Sequence, residues 1–222
     1  MLTFAIGDIH GCLDQLTELL AQCRRFAKGQ PSKFIFLGDY IDRGPDSRGV
    51  IQTIMDMQAA DPANVIALAG NHEELLRHWH IDDGMGRWLV NGGGVTLRSY
   101  GVTSPKDLPP DHLAWLTGLP LFYEDAQRLF VHAGIRPGVP LEQQTRDDML
   151  WIRAEFLDST VNHGKLVVHG HSPRRDRKPE CLDNRVNVDT GAFRGGSLTA
   201  VIFTDSQRMP IDFLQALPLN AD

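Results

Sequence analysis

The chain has 222 residues, 42% hydrophobic and 23% charged, a balance that excludes disordered and fibrous classes and suits a single globular α/β domain over 1–222. Its 22 basic and 28 acidic residues leave a formal charge of −6. That lacks the basic excess of a general nucleic-acid or anionic-membrane binder, so neither is expected as a partner.

In chain order, residues 3–6 form a first β-rich run. Leu13, Leu16, Leu19, Leu20, Cys23 and Phe26 then recur every three or four positions, predicting a helix over 12–26 that ends at the Gly-Gln-Pro stretch 29–31. A second strand is expected at 33–37. Val50, Ile51, Ile54, Met55 and Gln58 predict a helix behind the capping candidates Asp46 and Ser47. With a third strand at 65–69, the first half reads βαβαβ. Residues 75–120, punctuated by Asn91-Gly92-Gly93-Gly94, Pro105, Pro109 and Pro110, read as a helical insertion whose glycines serve turn geometry. The second half reads as strands at 128–131, 165–168, 185–188 and 198–204 joined by loops.

Polar residues gather where these strands end. Asp8 and His10 follow the first, Asp39, Asp42 and Arg43 the second, and Asn71, His72 and Glu73 the third; His132 follows the fourth, and His169 and His171 the fifth. Strand carboxyl ends are where α/β sheets bind ligands. Asp8, Asp39 and Asn71 are spaced by ~30 residues, the length of one βαβ unit, so the three can meet at one edge. Oxygen and nitrogen donors without thiolate suit divalent ions such as Mn²⁺, Fe or Zn²⁺, and a carboxylate can bridge two of them. Arg43 beside them can face a phosphate with its fork of donors. Each residue has a plainer role to set against this one: Asp8 as a helix cap, a lone histidine as a core hydrogen-bonding group, Glu73 as an anchor for its turn.

GDIHG, GDYIDRG, GNHE, VHAG and VHGHSP, in this order, resemble the signature blocks of the phosphoprotein phosphatase family within the calcineurin-like metallophosphoesterases, and VNVDTGAFRGGSLTAVIF resembles the closing strands of bacterial and phage members. The resemblance implies a β-sandwich flanked by helices, with a dinuclear metal site at strand carboxyl ends. It implies that Asp8 and His10 bind one ion, Asp39 bridges, and Asn71, His132 and His171 complete the second site. His72 is then the general acid, Asp42 orients it, and Arg43 and Arg153 clamp the phosphate; His169 is left with a supporting role. The ions implied are two divalent metals, Mn²⁺ first, with Fe, Zn²⁺, Ni²⁺ or Mg²⁺ as alternatives. The implied reaction is direct attack of metal-bound hydroxide on phosphorus, without a phosphoenzyme.

The substrate this points to is phosphoserine or phosphothreonine in proteins, with phosphotyrosine a further candidate. Symmetrical hydrolysis of dinucleoside polyphosphates such as diadenosine tetraphosphate is the rival, and a non-catalytic metal-binding interaction module is the alternative of another class. Glutamate in GNHE resembles the protein phosphatases, whereas eukaryotic-type members carry arginine where this chain has Ala69. The basic run 174–178 reads as a solvated loop. Cys12, Cys23 and Cys181 include no C-x-x-C pair, and Cys12 and Cys23 lie on one expected helix, too far apart to bridge. With no signal-peptide pattern at MLTFAIGDIHG, the expected compartment is the cytoplasm.

Overall fold

The computed structural model describes residues 1–218. In its first sheet β1 (Leu2–Ile6), β2 (Ser32–Phe36) and β3 (Val65–Ala67) run parallel. In the second, β4 (Phe122–Glu124) pairs antiparallel with β5 (Arg128–Val131), which runs parallel to β6 (Leu166–His169); β7 (Glu180–Cys181) pairs antiparallel with β8 (Arg185–Asn187), itself parallel to β6. β9 (Leu198–Thr204) and β10 (Asp212–Ala216) return antiparallel to the first sheet, giving the orders β10-β9-β1-β2-β3 and β4-β5-β6-β8-β7.

The two sheets stack because successive strand residues point to opposite faces and both faces find apolar partners. Ala5, Ile35, Val201 and Phe203 of one sheet meet Phe130, Leu166, Val168 and Val186 of the other in the interior between them. Phe4, Ile6 and Ile202 point the other way, against α1 (Leu13–Ala27) and α2 (Ser47–Ala60). Asp46 caps α2, accepting the Gly49 N–H at 2.8 Å, as the sequence predicts.

α3 (Asn71–Arg77), α4 (Gly84–Trp88), a kinked segment at Leu89–Gly93, α5 (Gly94–Tyr100) and α6 (Pro110–Gly118) lie within 71–118 and share the α1–α2 core through Leu76, Trp88, Leu97 and Leu116. The glycine run does more than turn: Gly92, at φ 111°, brings the backbone against Arg43, where a Cβ would lie 2.9 Å from the Arg43 nitrogen.

Two expectations need correction. β3 stops at Ala67 because the Ala69 N–H goes to the Pro120 carbonyl at 2.8 Å, outside the sheet. The second half also holds helices, α7 (Arg146–Trp151) and α8 (Ala154–Leu157), where loops are expected. Thr145 and Asp148 cap α7 reciprocally, and Met149 and Phe156 of the pair bury against Leu129, Val131 and Val167 on the outer face of the second sheet.

Candidate active site

Six strands of parallel sense, three per sheet, end at one edge of the sandwich. Just past them lie Asp8, Asp39, Asn71, His132, His171 and Asp189, all buried. The turns that carry them are strained: His10, Asp39, Asp42, Arg43 and His171 all have φ between 47° and 72°. Such conformations persist only where the surroundings hold them. Glu73 does so for the turn at Asp39, its carboxylate accepting the N–H groups of Asp39, Tyr40 and Gly70 at 2.9 Å each. Burial and the charge of Asp39 push the Glu73 carboxyl up to about 8, and those amides pull against the rise. Gly70 and Gly170 let backbone pass where a Cβ would collide with Asp39 and Asp8 respectively.

Backbone carbonyls set two of the imidazoles. His10 Nδ1 lies 2.9 Å from the Ile41 carbonyl and His132 Nδ1 2.9 Å from that of Leu37. A proton on each Nδ1 leaves both Nε2 lone pairs facing inward. Burial lowers both imidazoles, which favours that neutral form. Asp39 lies between them, with Oδ2 3.4 Å from His10 Nε2 and Oδ1 3.5 Å from His132 Nε2. Asn71 Oδ1 is 2.8 Å from His132 Nε2 and 2.7 Å from His171 Nδ1. Asp8 accepts the His171 N–H at 3.0 Å, and burial followed by the charges of Asp189 and Asp39 raises its carboxyl.

This donor set fits divalent cations. Lone pairs of His132 Nε2, Asn71 Oδ1 and Asp39 Oδ1 point at one another, an arrangement that repels when empty and ligates when an ion sits between. Ligand atoms of Asp39, His132 and His171 lie within 4.8 Å of one another, as do those of His10, Asp39 and His72. The second group includes His72, the expected general acid, in place of Asp8. His72 Nδ1 is 2.6 Å from Asp42 Oδ2, while Nε2 is buried without a partner. Burial lowers the imidazole to about 4, with Asp39 opposing the shift and Arg43 adding to it. Asp42 is itself held by Trp88 Nε1–H at 3.0 Å and the Thr96 hydroxyl at 2.7 Å.

Arg43 and Arg153 line a cavity of about 190 Å³ together with Asp8, His10 and His171. Arg43 Nη1 reaches His10 Nε2 at 2.9 Å, and Arg153 Nη1 donates to the Ser172 hydroxyl at 3.1 Å. Every strand-end residue named in the sequence thus lies at or beside this cluster except His169, which makes a T-shaped contact with Phe156, ring centroids 5.0 Å apart. The sequence reading passes over Asp189, Phe193 and Arg194, which line the same cavity, and Trp88 and Thr96 behind Asp42. Asp189 follows β8 as Asp8 follows β1, so the strand-end rule applied once more finds it. The helical partners of Asp42 carry no such signal.

Residues 1–207 match the calcineurin-like phosphoesterase family model, and the chain belongs to that family. It is a metal-dependent phosphatase of that class, whose members use a dinuclear metal site. Among its relatives is serine/threonine-protein phosphatase 1 of Salmonella typhimurium, 28% identical over 88% of this chain and 89% of the relative. Another is the asymmetrical bis(5′-nucleosyl)-tetraphosphatase PrpE of Halalkalibacterium halodurans, 28% identical over 96% of this chain and 94% of the relative. A solved structure described as a putative diadenosine tetraphosphatase superposes with a TM-score of 0.71 at 22% identity, covering 99% of this chain and 94% of that one.

Proposed function

We propose that this protein removes phosphate from phosphoserine and phosphothreonine in proteins by direct hydrolysis, with His72 as proton donor. The observation that carries the reaction is the His72 imidazole: Nδ1 is fixed by Asp42 and Nε2 is buried, unpartnered and beside Asp39. Asp8, His10 and Asp39 would hold one cation and Asp39, Asn71, His132 and His171 the other, with Mn²⁺ the expected ion. When bound, two such cations supply Lewis acidity to the phosphoryl group and lower the pKa of coordinated water.

The chain's own residues do the rest. Arg43 and Arg153 bind phosphoryl oxygens and hold the group in line. Asp42, anchored by Trp88 and Thr96, keeps the His72 ring aimed with its Nδ1 proton on the carboxylate. His72 Nε2 then delivers a proton to the leaving oxygen, and a neighbouring phosphate anion favours the protonated imidazole that this requires. We place this activity in one domain and in the cytoplasm. The three cysteines are unpaired, and no helix among the described residues is long and apolar enough to cross a membrane.

The Salmonella relative supports the phosphoprotein reading. Glutamate in GNHE no longer weighs for it, because Glu73 binds backbone amides and faces no substrate position. A second reading, hydrolysis of dinucleoside polyphosphates, is favoured by Arg194 at the cavity. The sequence alone suggests symmetrical cleavage for that case, whereas the PrpE relative is named for asymmetrical cleavage. Turnover of Mn²⁺-loaded protein on phosphoserine and phosphothreonine peptides, run beside diadenosine tetraphosphate with product analysis, tests both. Higher kcat/KM on peptides supports the first reading; preference for the dinucleotide overturns it, and ADP alone or ATP with AMP as products tells the cleavage mode.

A further inference from the structure

We propose that Asp189 is a positioning residue for the first cation, its carboxylate standing beside that of Asp8 and adding charge to a site otherwise served by Asp8, His10 and Asp39. The proposal rests on the metal-dependent reading of the site and deepens it.

Asp8 and Asp189 occupy equivalent places, each the second residue past a strand, β1 and β8 respectively. Glycines bring them together. A Cβ on Gly7 would lie 2.6 Å from the Val188 carbonyl oxygen, so the ends of β1 and β8 approach this closely only because that atom is missing. A Cβ on Gly170, just past β6, would collide with Asp8 Oδ1 and lie 3.8 Å from Asp189 Cβ. Both acids therefore border the space that Gly170 leaves, and both are buried and line the same cavity.

The hydrogen bonds of Asp189 use one oxygen. Its Oδ1 accepts the Gly191 N–H at 3.0 Å, and among the described residues nothing donates to Oδ2. Nor, among those residues, has Asp8 or Asp189 an ion-pair partner, whereas Asp39 has His10 and His132. Arg43 and Arg153 share the cavity but are turned to His10 Nε2 and the Ser172 hydroxyl. The charge of Asp189 weighs on Asp8 more than that of Asp39 does. Buried carboxylates side by side are costly unless a cation offsets them.

The donor sets point to the first cation. Asp39, Asn71, His132 and His171 give the second site four groups, two of them imidazoles, while Asp8, His10 and Asp39 give the first only three. With Asp189 beside Asp8 the first site is the carboxylate-rich one, a set that suits Mn²⁺, and the imidazoles of the second suit Zn²⁺ or Fe equally. A plainer role for Asp189 is to hold the turn at Gly191. Asparagine keeps an Oδ1 for that amide and removes the charge, so it separates the two roles.

Calorimetric titration of the metal-free full chain with Mn²⁺ tests this. Wild type is expected to take up two equivalents. Asp189→Asn should keep one at wild-type affinity and weaken the other about 10–100-fold, the scale for groups that support a metal's direct ligands. Asp56→Asn, an equal charge loss at an exposed position on α2, should leave both unchanged. Undiminished uptake by Asp189→Asn overturns the assignment, as does equal weakening of both equivalents. Undiminished uptake with weaker inhibition by inorganic phosphate also overturns it and gives Asp189 to the arginines instead. A wild type that binds no Mn²⁺ removes the metal reading and this assignment together, whereas normal binding by both proteins removes the assignment alone. Should the variant not fold, anomalous scattering from Mn²⁺-loaded wild-type crystals decides: the ion held by Asp8 is expected no farther from Asp189 than one bridging water, and an ion remote from Asp189 overturns the proposal.

Discussion

His72 and Asp39 occupy adjacent positions in the cluster but answer to different chemistry, and substitution separates them. His72→Asn leaves Asp8, His10, Asp39, Asn71, His132 and His171 in place, so metal content should stay at the wild-type level. Turnover should fall about 10²–10⁴-fold, the range for loss of a general acid. Metal analysis beside kcat decides it: an ion lost with the imidazole makes His72 a ligand, the role its closeness to His10 and Asp39 leaves open to test. Asp39→Asn should act on both ions at once, because its two oxygens face His10 and His132 separately. Two fully occupied sites in that variant are incompatible with a bridging carboxylate.

At the scale of elements, the site depends on helices packed well behind it. Trp88 of α4 and Thr96 of α5 hold Asp42, and α5 is in turn tied to α6 and α2 through His112. The Tyr100 hydroxyl lies 2.7 Å from His112 Nδ1, and Nε2 is 3.1 Å from Gln52 Oε1, so a neutral ring can accept from one and donate to the other. Burial lowers this imidazole. The unfolded chain takes up the proton near pH 6.5 while the folded one resists, so this stabilisation is complete above about 6.5 and is lost as pH falls below it. His112→Gln removes the titration. The stability margin of the wild type over that variant, read from urea midpoints at about pH 7.5 and 5.5, should therefore narrow at the lower pH. A constant margin means the ring titrates alike in both states.

These helical supports were also the least legible part of the sequence. Asp8, Asp39, Asn71, His132 and His171 could be read because each follows a short apolar run, and strand ends converge whenever the strands are parallel. Trp88, Thr96 and His112 sit on short helices broken by glycine and proline, where periodicity is too brief to assign a buried face. Nor does the sequence display the left-handed conformations of His10, Asp39, Asp42, Arg43 and His171. They are imposed by contacts such as those of Glu73, and ordinary propensity opposes them.

For the whole molecule, the cluster is a liability that bound cations relieve. Asp8, Asp39 and Asp189 converge from β1, β2 and β8 on a buried space, with Asp42 and Glu73 close behind. Burial raises the Asp8 and Asp189 carboxyls, the latter to about 7, and Asp39 raises each further. Near neutral pH the metal-free fold therefore either keeps neighbouring charges that repel or binds protons that the unfolded chain would release. An ion bound by the folded state alone adds stability by mass action, about 2.7 kcal/mol at one hundred times its Kd. In a chain of this length that raises Tm by about 5–10 °C. Thermal unfolding of chelator-treated protein, with and without added Mn²⁺, should show this shift, and Asp39→Asn should lose most of it. A Tm indifferent to Mn²⁺ in the wild type would mean that these carboxylates gather for a reason other than holding metal.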